Sequence, residues 1–153
     1  MTNKEIERKY LVDRHNIPGD LDSYAYHDIE QAYLNTQPVV RVRKSDEEYF
    51  LTYKSKGFME RDEYNLPLDE KSYYHLLKKA DGNIITKRRY LIPYGKYTIE
   101  LDVFDGAFEG MVLAEVEFES LEEANAFTAP EWFIDDVTFS TKYHNSTLSK
   151  INL

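Results

Sequence analysis

Charged residues recur two positions apart along this chain, inside segments whose other residues are mostly apolar. The sets are Glu5/Glu7/Lys9, Arg41/Arg43, Lys54/Lys56, Arg61/Glu63, Lys87/Arg89, Glu100/Asp102 and Glu115/Glu117. A spacing of two residues places side chains on the same face of a β-strand. Grouped carboxylates suit divalent cations, while arginine and lysine suit phosphate. The pattern therefore predicts a charged sheet face that binds a metal ion together with a phosphorylated ligand.

This face is nearly balanced in charge, although the whole chain is acidic. The formal net charge is −9, from 19 basic and 28 acidic residues. The strand-face sets hold eight basic and seven acidic residues, which leaves 11 basic and 21 acidic residues for the rest of the chain. Nucleic-acid binding usually needs a basic face, so this distribution argues against it. The basic residues are instead concentrated where the strand pairs lie, which indicates a small anionic ligand.

The presence of both signs on one face restricts the ligand further. Eight basic residues facing one cavity favour a polyanion, but seven carboxylates would repel phosphate unless divalent cations lay between them. Mg²⁺ and Mn²⁺ prefer carboxylate and water oxygens. Carboxylate, metal ion, phosphate and guanidinium are the usual components of phosphoryl-transfer sites. We therefore predict a di- or triphosphate ligand complexed with Mg²⁺ or Mn²⁺.

Eight strands are predicted to position these residues. They cover residues 4–12, 28–35, 39–45, 48–56, 60–68, 83–93, 96–105 and 111–119, and the short connections favour antiparallel pairing. Helices are predicted over residues 69–80 and 121–129, where Asp69 and Ser120 are candidate N-caps. The tail from residue 136 to 153 is ambiguous, with a strand-like start followed by a short helix.

We expect an α+β fold: an eight-stranded antiparallel closed β-barrel, or tunnel, with a few flanking helices. If helices cover part of the apolar face outside, the charged face must line the interior. The interior of an eight-stranded barrel is about wide enough for one small ligand. Because buried unpaired ions are destabilising, the lumen should hold both signs, contain water and open at its ends.

The composition excludes several other classes of protein. The chain has 153 residues, of which 42% are hydrophobic and 31% charged, so it is globular rather than disordered. The absence of cysteine excludes disulfides, cysteine nucleophiles and thiolate zinc sites. The sequence shows no apolar run of about 20 residues and no apolar stretch following Met1. We expect a cytoplasmic protein without membrane segments, either a monomer or a homodimer.

The sequence resembles the CYTH superfamily, the triphosphate tunnel metalloenzymes. Residues 5–12 (Glu-Ile-Glu-Arg-Lys-Tyr-Leu-Val) are similar to its ExExK signature, and the other similar segments follow in family order: 31–34, 40–44, 51–57, 61–63, 86–90, 100–104, 114–117, 137–138 and 143–145. The resemblance implies one tunnel domain over residues 1–153, a divalent metal, and hydrolysis or cyclisation of substrates that contain a triphosphate.

The resemblance also implies roles for single residues. The implied metal ligands, some of them indirect, are Glu5, Glu7, Glu63, Glu100, Asp102, Glu115 and Glu117. The implied phosphate ligands are Lys9, Arg41, Arg43, Lys54, Lys87, Arg89 and Lys142, and the implied catalytic residues are Glu5, Glu7, Lys9 and Glu117. Two positions depart from the family pattern. Asn65 replaces a second acid after Glu63, and Lys142 stands where the tail usually carries arginine.

The expected activity is metal-dependent hydrolysis of inorganic tripolyphosphate to pyrophosphate and phosphate. The chain is short, lacks an inserted domain and shows no evident pocket for a nucleoside, and its two ends resemble the small bacterial tripolyphosphatases. The alternatives are a class IV adenylyl cyclase, a thiamine or nucleoside triphosphatase, and a module that binds polyphosphate without turnover.

Strand parity makes further predictions. Arg8 and Arg88 should point away from the lumen, and Tyr33, in phase with Gln31, is a candidate lumen residue. The histidines share no spacing, so surface or packing roles are expected for His15, His27, His75 and His144. The tail over residues 138–150 is expected to cap one mouth of the tunnel, with Lys142 reaching the phosphate chain or a lumen carboxylate.

Overall fold

The computed structural model describes residues 4–151, which form a closed antiparallel barrel of eight strands. The strands are β1 (Lys4–Val12), β2 (Ala25–Thr36), β3 (Val39–Ser45), β4 (Glu48–Lys54), β5 (Glu60–Leu68), β6 (Asp81–Tyr94), β7 (Tyr97–Asp105) and β8 (Val112–Phe118). The order of neighbours is β5-β4-β3-β2-β6-β7-β8-β1. The barrel closes where Glu5 of β1 pairs with Arg61 of β5. The predicted fold class is confirmed.

Short helices flank the barrel: α1 (Glu70–Leu77), α2 (Leu121–Ala126) and α3 (Asn145–Leu148), with 3-10 turns at 21–23, 106–108 and 141–143. The two predicted N-caps form, because Asp69 accepts a hydrogen bond from the backbone N–H of Ser72 and Ser120 accepts one from that of Glu123. Both helices are shorter than predicted, and α2 ends because Phe127 has an extended backbone. None of the helices in residues 4–151 has the length and hydropathy needed to cross a bilayer.

A ninth strand and several shifted boundaries differ from the prediction. The short β9 (Phe133–Asp136) pairs with residues 10–12 of β1, whereas β5 pairs with residues 4–6 of the same strand. Strand β2 begins three residues earlier than predicted, at Ala25, and β4 ends at Lys54 rather than at residue 56. Lys56 therefore lies in a loop and does not share the strand face of Lys54.

The main apolar core lies outside the barrel wall. Outward residues of β1, β6, β7 and β8, among them Ile6, Tyr90, Leu101 and Val116, are buried there against Trp132. The rings of Phe127 and Phe133, which follow α2, pack onto the same cluster. Because the apolar face of the sheet is buried on the outside, the alternate residues of the same strands face the lumen.

A second apolar cluster fills one end of the lumen. It contains Ile85, Phe104 and Leu113 from the barrel strands, Phe108 from the 3-10 turn at 106–108, and Leu148 from α3. The lumen was expected to open at its ends, with the tail over residues 138–150 capping one mouth, and Leu148 of that tail does pack at this end. The inward positions at this end of β6, β7 and β8 carry apolar rather than charged side chains, and the tail buries them.

The tail docks against the beginning of β6 through contacts that require glycine at position 82. Gly82 has φ +75°, and a Cβ atom there would lie 2.0 Å from the carbonyl oxygen of Ser149. The next residue, Asn83, donates its backbone N–H to the same oxygen at 2.6 Å. Its side-chain amide donates to the carbonyls of Leu148 and Ile151 at 3.1 and 2.7 Å.

Gly82→Ala should lower the melting temperature by several degrees, because both the positive φ and the clash with Ser149 destabilise the folded state by about 2–3 kcal/mol together. Gly95→Ala is the matched control, since Gly95 has φ +59° but no atom within 4 Å of an added Cβ. Differential scanning calorimetry of both variants measures the difference. Equal losses of melting temperature would contradict the close docking of the tail.

Candidate active site

The charged strand faces line a cavity of about 220 Å³ inside the barrel. Its lining residues are Glu5, Glu7, Lys9, Tyr33, Val39, Arg41, Arg43, Lys54, Arg61, Glu63, Asn65, Arg89, Glu115, Glu117, His144, Asn145 and Ser146. The structure thus brings together most of the side chains predicted to bind metal or phosphate. The exceptions are Glu100, Asp102, Lys87 and Lys142.

The strand register explains how the side chains meet. Glu7 lies directly opposite Glu117 across β1 and β8, and Lys9 lies opposite Glu115 in the same pair of strands. Directly opposed residues of an antiparallel pair share a face and are close neighbours. The register therefore places one pair of like charges and one pair of opposite charges side by side.

Glu5, Glu7 and Glu117 form a carboxylate triad. One oxygen of each lies within 4.8 Å of the others. Burial and the charges of Glu115 and Glu5 raise the pKa of Glu7 well above its usual range. Burial and the nearby carboxylates, Glu100 first, raise the pKa of Glu117 to about 7. Three convergent oxygens that repel one another fit a divalent cation, which would relieve the repulsion.

Glu5 behaves differently from the other two members of the triad. Burial would raise its pKa, but Lys54 and Arg61 outweigh burial and lower the pKa to about 2. Lys54 Nζ donates to both carboxylate oxygens of Glu5, at 2.9 and 3.0 Å, and lies 3.3 Å from Glu63. Glu5 is therefore ionised over the whole physiological range, and it anchors the negative charge of the triad.

One group of cations is fully paired with carboxylates of the wall. Asp102, which is 1% exposed, lies 2.7 Å from Lys87 Nζ and accepts hydrogen bonds of 2.7 and 2.9 Å from Arg89. Arg89 also pairs with Glu100 and Glu115, each at 3.1 Å. Asp102 and Lys87 thus lie behind the cavity in an ion-pair network. Both oxygens of Asp102 are engaged there by cations, so Asp102 is one of the implied metal residues that pair with lysine and arginine in this structure.

A second group of cations has little or no counter-charge. Arg41 is 5% exposed, and within residues 4–151 it forms no ion pair and its Nε has no hydrogen-bond partner. Arg61 Nε is likewise without a partner in that range, and its Nη2 lies 3.7 Å from Glu5. Burial and the positive charges of Arg41 and Arg89 lower the pKa of Arg43 to about 9. Buried cations without counter-charge are destabilising, so this group indicates an anionic ligand.

The tail holds Lys9 in the cavity. Lys9 donates its backbone N–H to Thr138 Oγ1 at 3.1 Å and its Nζ to the carbonyl of Tyr143 at 3.2 Å. The same Nζ lies 3.3 Å from Glu115. Asn145 Oδ1 accepts from Lys87 Nζ at 3.3 Å. These contacts bring the tail to the cavity wall.

Lys142 is placed differently from its prediction. Its side chain is exposed, does not line the cavity, and carries Nζ 5.3 Å from the ring centroid of Tyr143. In the 3-10 turn over residues 141–143, the carbonyl of Tyr143 rather than Lys142 faces the lumen. The expected contact of Lys142 with the phosphate chain or a lumen carboxylate is therefore wrong in this structure.

His144 is a lumen residue that sequence reasoning missed. It lines the cavity next to the tail, and burial together with the charges of Lys9 and Arg61 lowers its pKa to about 4. The available signal was its position inside the tail segment Tyr143-His-Asn145.

The parity predictions for Arg8 and Arg88 are confirmed, because these residues pair outside the barrel with Asp136 and Asp28. Tyr33 does line the cavity.

A second cavity of about 440 Å³ adjoins the first. The two share Val39, Arg61, His144 and Ser146, and the second is also lined by Phe58 and Lys56. The ring of Phe58 lies near that of His144, tilted by 50° with the ring centroids 5.8 Å apart. The sequence had shown no evident pocket for a nucleoside, and this cavity differs from that expectation.

Comparison with known proteins identifies relatives along nearly the whole chain. The profile of the CYTH domain matches residues 3–152. The chain is 38% identical over 151 residues to a protein of Nitrosomonas europaea named inorganic triphosphatase, covering 95% of this chain and 96% of that protein. It is 33% identical over 158 residues to an inorganic triphosphatase of Acetivibrio thermocellus, covering 96% and 94% respectively.

A solved structure supports the same relationship. The crystal structure of an inorganic triphosphatase superposes with a TM-score of 0.70 at 34% sequence identity. The match covers 97% of this chain and 95% of that one.

His144→Gln should make stability less sensitive to acid. The unfolded chain takes up a proton on His144 near pH 6.5, whereas the folded protein does so only near pH 4, so this histidine lowers stability as pH falls through that window. We expect the melting temperature of the variant relative to wild type to rise by roughly 3 °C between pH 7.5 and pH 4.5. His15→Gln, in an exposed loop, is the control. A difference that does not change with pH would contradict the placement of His144 among the lumen cations.

Proposed function

This chain belongs to the CYTH domain family, and we propose that it hydrolyses inorganic tripolyphosphate to pyrophosphate and phosphate with Mg²⁺ or Mn²⁺. The observation that carries the proposal is that one cavity combines two arginines without an ion pair in residues 4–151, Arg41 and Arg43, with a convergent carboxylate triad. Arginine offers forked donors that match phosphate oxygens. Two relatives that are at least 33% identical along nearly their full length are named inorganic triphosphatases, which supports the choice of substrate.

The arginines with little counter-charge bind the phosphate chain in this proposal. Arg41 and Arg43 border the cavity and form no ion pair within residues 4–151, so an anion between them would supply the counter-charge that the barrel wall lacks. Arg61 also borders the cavity, but Glu5 and Glu7 lie 3.7 and 4.0 Å from it and compensate part of its charge. Arg89 contributes less attraction, since Asp102, Glu100 and Glu115 already compensate its charge. The chain of phosphoryl groups is thereby fixed along the lumen before reaction.

The triad Glu5, Glu7 and Glu117 holds the divalent metal in this proposal. When bound, the metal stabilises negative charge on the phosphoryl oxygens and favours ionisation of water. Glu115 and Glu63 lie beside the triad and are paired with cations. Lys9 and Arg89 pair with Glu115, and Lys54 pairs with Glu63.

Hydrolysis then requires a positioned water molecule. A carboxylate of the triad accepts the proton of the attacking water, and Glu117 suits this task because it is the exposed member of the triad. As the water oxygen bonds to the terminal phosphorus, the bridging P–O bond breaks and its electron pair remains on pyrophosphate. Arg41 and Arg43 neutralise the charge on that leaving group.

A nucleoside triphosphate is the second candidate substrate. The observation that favours it is the adjoining cavity of about 440 Å³, which carries the ring of Phe58 and opens onto the first cavity at Arg61 and His144. A base stacked there would keep the triphosphate in the same lumen, and either hydrolysis or cyclisation would follow from the choice of nucleophile.

Activity should depend absolutely on a divalent metal. With tripolyphosphate as substrate, phosphate release is expected to vanish in EDTA and to return with Mg²⁺ or Mn²⁺, because the carboxylate triad repels phosphate without a cation. A parallel assay with ATP reads both phosphate and cyclic AMP. Full activity in EDTA would contradict the metal site, and cyclic AMP without phosphate release would identify a cyclase instead.

Arg41→Ala should lower kcat/KM for tripolyphosphate by about 100-fold, since it removes a buried donor with no internal partner. Arg88→Ala is the matched control, because Arg88 lies on the same barrel but pairs outside with Asp28 at 2.8 Å. That change should alter kcat/KM less than about threefold. Similar losses in the two variants would show that the lumen is not where the substrate binds.

A further inference from the structure

Gln31 is a fully buried polar residue of β2 that lies behind the cavity wall. Its Oε1 accepts a hydrogen bond of 2.7 Å from Arg43 Nε, and its Nε2 lies 3.4 Å from the hydroxyl oxygen of Tyr33. A guanidinium group has donors only, so the amide oxygen must face Arg43 and the amide N–H must face Tyr33. The orientation of the amide is thus determined by its neighbours.

The register of β2 and β3 creates this arrangement. Gln31 is directly opposite Arg43, and Tyr33 is directly opposite Arg41. All four side chains lie on the inward face of the two strands. Gln31 therefore supports one of the two arginines of β3 from behind, while Tyr33 and both arginines border the cavity.

Gln31 differs from the side chains that hold the neighbouring cavity cations, because it is neutral. Carboxylates hold the neighbouring cations: Asp102 pairs with Arg89, Glu5 with Lys54 and Glu115 with Lys9. A carboxylate at position 31 would hold Arg43 in the same place but would cancel much of its charge. The amide fixes the guanidinium and leaves its charge available to a ligand.

The same amide affects Tyr33. Since Gln31 Nε2 donates toward the hydroxyl oxygen of Tyr33, the hydroxyl hydrogen is free to be donated into the cavity. A carboxylate at position 31 would instead accept that hydrogen and turn it away from the lumen.

We propose that Gln31 is a positioning residue that aims Arg43 and the hydroxyl of Tyr33 at the phosphate chain without neutralising either donor. The proposal rests on the function proposed above and adds a residue that does not itself contact substrate. Gln31 lies outside the set of cavity-lining residues, which agrees with an indirect role.

Two near-isosteric variants separate the charge of the group from its hydrogen bond. Gln31→Glu keeps an acceptor for Arg43 and adds negative charge, whereas Gln31→Met removes the acceptor and adds none. In steady-state hydrolysis of tripolyphosphate with Mg²⁺, we expect KM to rise about tenfold or more for Gln31→Glu and about threefold for Gln31→Met. We expect kcat to fall by a smaller factor than KM rises, since the metal-binding triad is untouched and Arg43 is retained.

A double-mutant cycle and a control complete the test. In an Arg43→Ala background, Gln31→Glu should raise KM much less than in the wild type, because its target is absent. Asn125→Asp makes the same change of amide to carboxylate at an exposed position of α2 and should leave the kinetics unchanged. Melting curves verify that each variant is folded. If Gln31→Glu does not fold, the double-mutant cycle of Gln31→Met with Arg43→Ala decides whether Gln31 acts through Arg43.

An unchanged KM in both variants, or a KM for Gln31→Glu at or below that of Gln31→Met, would overturn this inference and leave the triphosphatase activity standing. A wild-type protein that hydrolyses no tripolyphosphate would instead overturn the proposed function. In that case calorimetric titration of the wild type and Gln31→Glu with tripolyphosphate decides on Gln31. Equal affinities would overturn its role, and an affinity lowered about tenfold would support it.

Discussion

The central constraint on this protein is the electrostatic cost of gathering many ions inside a narrow barrel. An ion removed from water is tolerated only when opposite charge or a ligand compensates it. In this lumen the compensation is uneven. Asp102, Lys87 and Arg89 form a closed network of short ion pairs, while Arg41 has no ionic partner within residues 4–151. The first group stabilises the barrel wall, and the second leaves positive potential for an anion.

The negative side of the lumen is divided in the same way. Glu115 is satisfied by Lys9 and Arg89, and Glu5 by Lys54. Burial, together with the charges of neighbouring carboxylates, raises the pKa values of Glu7 and Glu117. Uncompensated anions at one wall and uncompensated cations at another are the arrangement that a metal–polyphosphate complex would neutralise on both sides. The uncompensated charges therefore lower the stability of the empty barrel and raise its affinity for such a complex.

The sequence predicted the barrel and most of the site because strand parity is a local property. Side chains two residues apart share a face, so Glu5, Glu7, Arg41 and Arg43 were placed correctly without any knowledge of tertiary contacts. Parity also placed Arg88 outside. It gave no information on which ions pair with one another, because that depends on register between strands distant in sequence.

The tail was the part that sequence patterns described least well. It contains no regular alternation, and its position depends on the contact of Ser149 with Gly82 and on the hydrogen bond of Thr138 to Lys9. Both contacts join residues more than 60 positions apart. For this reason His144 was not predicted to face the lumen, and Lys142 was predicted to face it although it points outward.

A crystal structure with Mn²⁺ and a non-hydrolysable imidotriphosphate is the most direct test of how this lumen binds a metal–polyphosphate complex. We expect an anomalous manganese peak between Glu5, Glu7 and Glu117, with phosphoryl oxygens within hydrogen-bond distance of Arg41 and Arg43. An analogue bound outside the lumen, or bound inside without contact to these two arginines, would contradict this mode of binding.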